Sequence, residues 1–327
     1  MQRVGSWVVA MLLAGLSLGA QAEELVVSNY GVSANGMPFG VALAKGYFKD
    51  EGLNITGLIS SAGGGTTLRN MLAGAGTPYG EVNPVAVVSA VLAGADLKIV
   101  SDNVLTVAEF VWAVRADSPI KSIKDLKGRK MGYTNPRSTS QALANLMLER
   151  AGYKEGDVEL VKTGGFGEGV AALESGQVDI VPITEPLWSK YKDKFRAVVV
   201  ASEALPPLDN VVGVTTAENL DKRGDFIRKV IRARRKAVIF MREHPDEAAD
   251  IVAKQFNIDR AVALSALNNL TKSTTQGVPY WGEGDIHLEG LKRMIEAQKK
   301  VGAITGDVDY NKLIDTRFLP DDLKTVK

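Results

Sequence analysis

Cysteine is absent from the 327-residue sequence. Without cysteine the chain can form no disulfide bond, no thiolate metal site and no cysteine nucleophile. The lipid-bearing cysteine that a lipoprotein carries after its signal sequence is excluded as well. We therefore expect the mature chain to be free in solution.

Histidine is scarce, and the two present, His244 and His287, are far apart in the sequence. They do not have metal-ligand spacing, so no metal site is predicted. The GxSxG and GxxxxGK(S/T) motifs are absent, and Gly164–Gly169 (GGFGEG) does not match the dinucleotide spacing GxGxxG. Ser118–Lys121 fits the short pattern SxxK, but no KTG box accompanies it. We predict no cofactor and no enzymatic activity.

A large excess of one charge is also missing, since 39 basic and 38 acidic side chains give a formal net charge of +1. A nucleic-acid partner would need a clustered basic face, so none is predicted. Lys229–Lys236 (KVIRARRK) is locally basic, yet Val230 and Ile231 give it the pattern of an amphipathic helix. We interpret its charges as a solvated helix face.

The N-terminal segment has the three parts of a signal peptide: a charged start with Arg3, the apolar run Trp7–Leu18 and the small residues of Ala20–Ala22. A membrane anchor is the alternative, but the run is shorter than the roughly 20 residues that span a bilayer. We expect cleavage after Ala22, which would release a periplasmic protein beginning at Glu23.

Apolar runs typical of strands alternate with amphipathic runs typical of helices along most of the chain. Such alternation predicts an α/β fold in which mainly parallel sheets carry helices on both faces. The predicted strands are Glu24–Tyr30, Leu53–Ser60, Tyr79–Val82, Leu97–Val100, Thr106–Val114, Lys130–Tyr133, Val158–Lys162, Val178–Ile183 and Ala197–Ala201.

Two lobes with a cleft between them are predicted from the stretch Val111–Met147, which ends one strand, turns and begins a new strand–helix pair. Asn210–Thr215 (NVVGVT) is predicted to be a strand that returns to the first lobe. Lobe 1 is then formed by residues 23–114 and 212–327, and lobe 2 by residues 115–211.

Small polar loops follow several predicted strands and precede helices, where ligands bind in open α/β sheets. In Gly63–Thr67, the residues Gly64, Gly65 and Thr66 allow close approach of a ligand, and the N–H groups of the next helix favour an anion. A flexible connection is the alternative. Arg137, followed by Ser138 and Thr139, offers a guanidinium that would hold an oxyanion, or a surface arginine.

Other candidate contacts are polar or aromatic residues at strand ends, in loops and at helix starts. Asn83 and Pro84 follow a strand, and Glu109 or Glu185 would instead favour a cation, an amide or a pyrimidine N–H donor. Aromatic residues in such positions are candidate cleft walls, although packing roles are as common. These aromatic residues are Phe39, Phe166, Trp188, Tyr280 and Trp281.

Three segments carry a family likeness: PFGVALAKGYFKDEGLNI, VRADSPIKSIKDLKGRKMGY and GVAALESGQVDIVPITEP. They resemble the substrate-binding proteins of ABC importers, and more narrowly the group that binds nitrate, sulfonates, taurine or thiamine-pyrimidine precursors. The chain departs from the Gly-x-x-Asp pattern frequent in that group, because Ala75–Gly80 has no acidic residue.

The resemblance implies a two-lobed periplasmic-binding-protein fold with crossing strands near Val111–Ala116 and Val211–Thr215. It also implies a monomer that holds a small molecule in the cleft and delivers it to the transmembrane subunits of a permease. The ligand contacts it implies lie in the strand-end loops: Asn29, Tyr30, Gly64–Thr66, Asn83, Pro84, Arg137–Thr139 and Glu185.

Three functions remain open from the sequence. The leading one is an importer receptor for a small organic anion (a sulfonate, carboxylate or aromatic acid), which closes its hinge on the ligand. The second is the same receptor for a nitrogen compound such as a pyrimidine, with Glu109 or Glu185 as its partner. The third is a secreted enzyme on this fold.

Overall fold

The computed structural model describes residues 22–61, 63–74 and 77–327. The predicted signal peptide lies outside the described residues, apart from Ala22. Among the helices of the described part, none combines the length and the apolar character that a membrane crossing requires.

Thirteen strands are present in the described residues. They are β1 (Glu23–Ser28), β2 (Ile55–Ser61), β3 (Gly80–Val82), β4 (Leu97–Val104), β5 (Phe110–Arg115), β6 (Lys130–Tyr133), β7 (Glu159–Lys162), β8 (Val181–Thr184), β9 (Phe195–Val200), β10 (Val211–Thr216), β11 (Thr274–Thr275), β12 (Val278–Pro279) and β13 (Trp281–Gly284).

The α-helices of the same residues alternate with these strands and then dominate the C-terminal third. They are α1 (Met37–Ala44), α2 (Tyr47–Asp50), α3 (Gly64–Ala73), α4 (Pro84–Leu92), α5 (Thr139–Arg150), α6 (Phe166–Glu174), α7 (Leu187–Tyr191), α8 (Ala201–Ala204), α9 (Ala217–Glu243), α10 (Pro245–Phe256), α11 (Arg260–Lys272), α12 (Leu288–Lys300) and α13 (Tyr310–Leu313).

A six-stranded sheet in the order β13-β4-β10-β3-β1-β2 forms the centre of the first lobe. β1 is parallel to β2 and β3, whereas β10 runs antiparallel between β3 and β4. Apolar residues of β1, β4 and β10 are fully buried and pack with α1, α9, α10 and α11 in one large core. The α/β layering agrees with the sequence prediction, but the sheet is mixed rather than mainly parallel, because β10 and β13 run opposite to the other four strands.

The second lobe has a three-stranded sheet, β8-β5-β9, and a parallel pair, β6-β7. A single parallel bridge between Met131 and Ile180 joins the two pieces. β5 is antiparallel to both of its neighbours, and its side chains contribute to two separate apolar clusters. Met294 of α12 is buried in one of these clusters, so α12 also packs against the second lobe.

Two irregular segments connect the sheets: residues 105–109, between β4 and β5, and residues 205–210, between α8 and β10. We call them the first and the second crossover. β5 pairs only with strands of the second sheet and β10 with strands of the first, so the connections lie a few residues before the expected Val111–Ala116 and Val211–Thr215. The predicted strand Thr106–Val114 accordingly begins only at Phe110.

Candidate ligand-binding site

The ends of several strands meet where the two lobes face each other. Glu185 follows β8 and reaches both the first lobe and the first crossover through its backbone. Its carbonyl accepts a hydrogen bond from the N–H of Ala34 at 3.2 Å, and its own N–H donates to the carbonyl of Glu109 at 3.1 Å. Glu109 and Glu185, which are far apart in sequence, are therefore neighbours where the two lobes meet.

The carboxylate of Glu185 joins the lobes as well. Oε1 accepts from the amide of Asn269 on α11 at 2.7 Å, and Oε2 accepts from the backbone N–H of Ser189 at 3.1 Å. Burial is the main cause that raises the pKa of Glu185, while these hydrogen bonds lower it. Asn269 was not predicted as a site residue, because nothing in the sequence of α11 distinguishes it from other polar helix residues.

Further hydrogen bonds hold the same flank together. The hydroxyl of Ser189 on α7 donates to the hydroxyl of Ser265 on α11 at 3.0 Å. The ammonium of Lys192 donates to the same hydroxyl at 2.9 Å. Both bonds join a second-lobe segment to a first-lobe helix, so the lobes are in contact on this side.

Glu109 lies in the first crossover and is 3% exposed. Its Oε1 accepts from the amide of Asn210, in the second crossover, at 2.5 Å. Its Oε2 and the hydroxyl of Tyr280 are both buried without a well-formed hydrogen bond. The two crossovers and Tyr280, which precedes β13, thus surround the Glu109 carboxylate, and its second oxygen lies beside the Tyr280 hydroxyl.

The pKa of Glu109 is raised to about 7. Burial is the largest cause, and the negative charges of Glu185 and Glu81 raise it further. The groups that lower it are Tyr280, whose hydroxyl is close enough to interact, and Asn210. A group poised near neutrality can accept a hydrogen bond or an ion pair from a ligand at little cost.

The carboxylate of Glu81, by contrast, has its hydrogen-bond and ion-pair partners inside the first lobe. Its carboxylate accepts from Asn35 at 3.0 Å and from Asn103 at 2.7 Å, and Nε of Arg234 lies 3.4 Å from Oε2. Arg234 is 2% exposed, so the interpretation of Lys229–Lys236 as a solvated helix face is wrong for this residue. The burial of Arg234 could have been predicted from the sequence, because Arg234 falls on the apolar stripe between Val230 and Ala237.

The glycine segment Gly63–Thr67 was predicted to be a loop before a helix, but α3 already begins at Gly64. Gly63, at φ 77°, precedes the helix, and no side chain caps the first turn. A Cβ on Gly64 would lie 2.5 Å from the Cβ of Ala86 and 2.9 Å from Oδ1 of Asn83, so no larger residue fits there. The hydroxyl of Thr66 accepts from the guanidinium of Arg69 at 2.8 Å, a cation that the sequence reading did not single out.

The second-lobe loop with Arg137 uses its polar groups locally. Ser138 caps α5 by accepting from the N–H of Gln141 at 3.2 Å, and the N–H of Arg137 donates to Oε1 of Gln141 at 2.6 Å. Arg137 is exposed, with φ at 64°. Within the described residues no hydrogen bond or ion pair joins this loop to Gly63–Thr67, and the role of Arg137 and Thr139 in binding stays a prediction.

Several other candidates have packing or capping roles. Phe39 is fully buried between Tyr79 and Arg234 in the first-lobe core, which corrects its assignment to the cleft wall. Tyr30 donates from its hydroxyl to Gln255 at 2.9 Å. Asn83 caps α4 by accepting from the N–H of Ala86, with Pro84 buried in the first turn of the helix.

The aromatic residues near the crossovers are better candidates for a cleft wall. Phe166, half-buried at the start of α6, meets Phe110 edge to face with ring centroids 5.9 Å apart. Phe110 was not predicted as a site residue, because it lies in an apolar run typical of a strand. Trp188 packs half-buried against a second-lobe cluster. Tyr280 and Trp281, with ring centroids 4.9 Å apart, are buried in the first-lobe core like Phe39, so they have packing roles.

Comparison with known proteins agrees with this architecture. Residues 33–248, well over half of the chain, match the family model described as NMT1/THI5 like. The chain belongs to the NMT1/THI5-like family. The resemblance to substrate-binding proteins of ABC importers is thereby confirmed, together with the periplasmic-binding-protein fold.

Relatives of the chain are named for different ligands. A Bacillus subtilis protein provisionally assigned to aliphatic sulfonates is 24% identical over 319 residues, 95% of this chain and 93% of the relative. The riboflavin-binding protein RibY of Chloroflexus aurantiacus is 23% identical over 300 residues, 86% of this chain and 82% of the relative. The relatives therefore leave the ligand open.

Solved structures show the same fold in a receptor and in an enzyme. The periplasmic aliphatic sulphonate binding protein SsuA of Escherichia coli superposes with a TM-score of 0.76, at 19% identity, over 90% of this chain and 92% of its own. The desulfurization enzyme DSZB superposes with a TM-score of 0.65, at 15% identity, over 90% and 97%. The fold alone does not separate binding from catalysis.

Proposed function

We propose that this protein is the periplasmic receptor of an ABC import system and that it captures a small nitrogen compound bearing N–H donors between its lobes. The leading expectation from the sequence was an organic anion. The observation that favours the nitrogen compound is the buried carboxylate of Glu109, whose Oε2 lies beside the hydroxyl of Tyr280 but accepts no well-formed hydrogen bond. A bound ligand would then be delivered to a membrane permease.

The charges around Glu109 support this choice. The pKa of Glu109 responds to the negative charges of Glu185 and Glu81, so the place where the two lobes meet is an acidic environment. A buried anion beside these groups would be an additional negative charge without a partner, which costs several kcal/mol. An N–H donor or a cation would instead satisfy Oε2, and a hydrogen bond to a charged group contributes about 1.5–3 kcal/mol.

Phe110 and Phe166 supply the apolar part of such a site. Their edge-to-face pair lies at the second-lobe end of the first crossover, one residue from Glu109. Planar heterocycles pack well against aromatic rings. The combination of an acceptor carboxylate and an aromatic surface suits a pyrimidine or a similar ring.

A second candidate, the organic anion, is favoured by one observation. The first turn of α3 has no side-chain cap, and Arg69 folds back onto Thr66 at its start. Uncapped N–H groups and a guanidinium both attract an oxyanion. A ligand with an anionic group would have to bind there rather than at Glu109.

A thermal-shift screen at pH 8, where Glu109 is ionised, separates the two classes. We expect pyrimidines or amines to raise the melting temperature, since a ligand at 100 times its Kd stabilises the folded protein by about 2.7 kcal/mol. The same compounds should have a much smaller effect on Glu109→Gln. Exposed Glu203→Gln is the control and should respond like the wild type.

Two results would contradict the proposal. Stabilisation by sulfonates or carboxylates that Glu109→Gln retains would favour the anion and the α3 site. Chemical turnover of a stabilising compound, in place of its stoichiometric retention, would favour an enzyme.

A further inference from the structure

Two buried carboxyl groups meet beside the second crossover, away from the groups used above. Asp102 of β4 is 1% exposed and Asp209 of the second crossover is fully buried. Oδ1 of Asp102 and both carboxylate oxygens of Asp209 are buried, and no described residue donates a hydrogen bond to them. The remaining oxygen, Oδ2 of Asp102, accepts from the N–H of His287 at 3.2 Å.

An ionised carboxylate only accepts hydrogen bonds, so two ionised carboxylates in contact cannot form a hydrogen bond with each other. A proton on either one turns it into a donor for the other. Asp102 and Asp209 are close enough for such a hydrogen bond, which would satisfy oxygens that otherwise have no partner.

We propose that Asp102 and Asp209 share a proton, and that loss of this proton loosens the second crossover, so that the hinge between the lobes responds to pH. Asp209 is well placed for such an effect. Its backbone N–H donates to the carbonyl of Gly290 on α12 at 3.2 Å, and the N–H of Asn210 donates to the carbonyl of Val104 at 2.8 Å. Repulsion at Asp209 would strain both bonds.

The charged groups that face the pair come from the segment before α12 and from α12 itself. His287 favours ionisation of Asp102, Arg293 favours ionisation of Asp209, and Asp285 opposes both. Asp285 is itself paired with His287 at 2.9 Å and with the ammonium of Lys327 at 2.6 Å. Arg293 also donates to the carbonyl of Pro207 at 3.4 Å, so the cation nearest to Asp209 already holds the crossover.

Burial is the main cause that raises the pKa of both groups, of Asp102 to about 6 and of Asp209 well above its usual value. The negative charge of Asp102 raises the pKa of Asp209 further. The unfolded chain releases these protons from about pH 4 upward. The stabilising effect of the two groups is therefore complete below that pH. It declines as Asp102 ionises near pH 6, and it is lost as the pH rises further through the pKa of Asp209, which keeps the shared proton longer.

The test compares the melting temperatures of the wild type and Asp209→Asn between pH 5 and pH 8. The asparagine amide donates permanently to Asp102, as the protonated acid does. We expect the two proteins to melt together at pH 5 and the variant to melt higher at pH 8, by roughly 3 °C or more. Exposed Asp193→Asn is the control, and Asp102→Asn replaces the first variant if that one does not fold.

Hydrogen exchange of the peptide 205–211, corrected for the intrinsic effect of pH, reports on the hinge. We expect the wild type to lose protection in this peptide at pH 8 and the variant to keep it. Parallel melting curves at all pH values, or equal protection in the two proteins, would overturn the proposal. So would a rise in the melting temperature with Mg²⁺ or Ca²⁺ that Asp209→Asn abolishes, since the pair would then hold a metal ion.

Discussion

At the scale of single residues, the most consequential interaction in the first lobe is the ion pair between Arg234 and Glu81. Both side chains are almost completely buried, and Arg234 also donates to the carbonyls of Asn103 and Gly282 at 2.6 and 2.7 Å. Burial alone would make Glu81 hard to ionise, and the pair with Arg234 opposes that effect. The pair therefore supports the strand end from which the site is built.

Arg234→Met should destabilise the protein by about 3–5 kcal/mol, because it leaves Glu81 buried without its cation. Urea denaturation measures the change. Arg232→Met is the matched control: Arg232 lies on the same helix, is half exposed and pairs with Glu51 at 3.2 Å. We expect the control to lose less than about 1 kcal/mol. Equal losses in the two variants would show that the buried pair has no special role.

At the scale of secondary-structure elements, the close contact between α3 and α4 determines where the glycine loop lies. Gly64 faces Ala86 and Asn83 of the second helix so closely that a side chain has no room. The next residue, Gly65, is exposed, and a Cβ added to it would contact only the guanidinium of Arg69, at 3.6 Å. Close packing therefore requires a glycine at position 64 but not at position 65.

Gly64→Ala should destabilise the protein by about 1–3 kcal/mol, since its methyl group forces the two helices apart. Gly65→Ala should be neutral or slightly stabilising, because alanine favours a helix over glycine by up to about 1 kcal/mol. Melting temperatures of the two variants make the comparison. A stable Gly64→Ala variant would mean that α3 moves freely relative to α4, against the packing described above.

The same two scales show what can be predicted from the sequence. Most strands and helices follow from local patterns of apolar and small residues, although the glycines of Gly63–Thr67 suggested a loop where α3 already begins. The first crossover was not predicted, because Thr106–Ala108 is as apolar as the strand that follows it. Nor could local patterns bring Glu109 beside Glu185 or Asn269, since these contacts depend on how distant segments pack.

At the scale of the whole molecule, the arrangement of two sheets joined by two crossovers suits a hinge. Residues 105–109 and 205–210 are bonded to each other through Glu109 and Asn210. The lobes also meet through Asn269 and Glu185 on one flank, and through Lys300 and Glu149, at 2.6 Å, on α12 and α5. We expect these bonds to break when the lobes separate in the absence of a ligand.

Small-angle X-ray scattering of the protein, with and without the compound that stabilises it most, tests the central claim most directly. Ligand contacts from both lobes favour the closed form, and about 5.5 kcal/mol of differential binding moves a balance of about 1:99 to 99:1. We predict that the radius of gyration falls when the compound is added to the wild type and stays unchanged in Glu109→Gln. An unaltered radius in the wild type at saturating ligand would contradict capture between the lobes.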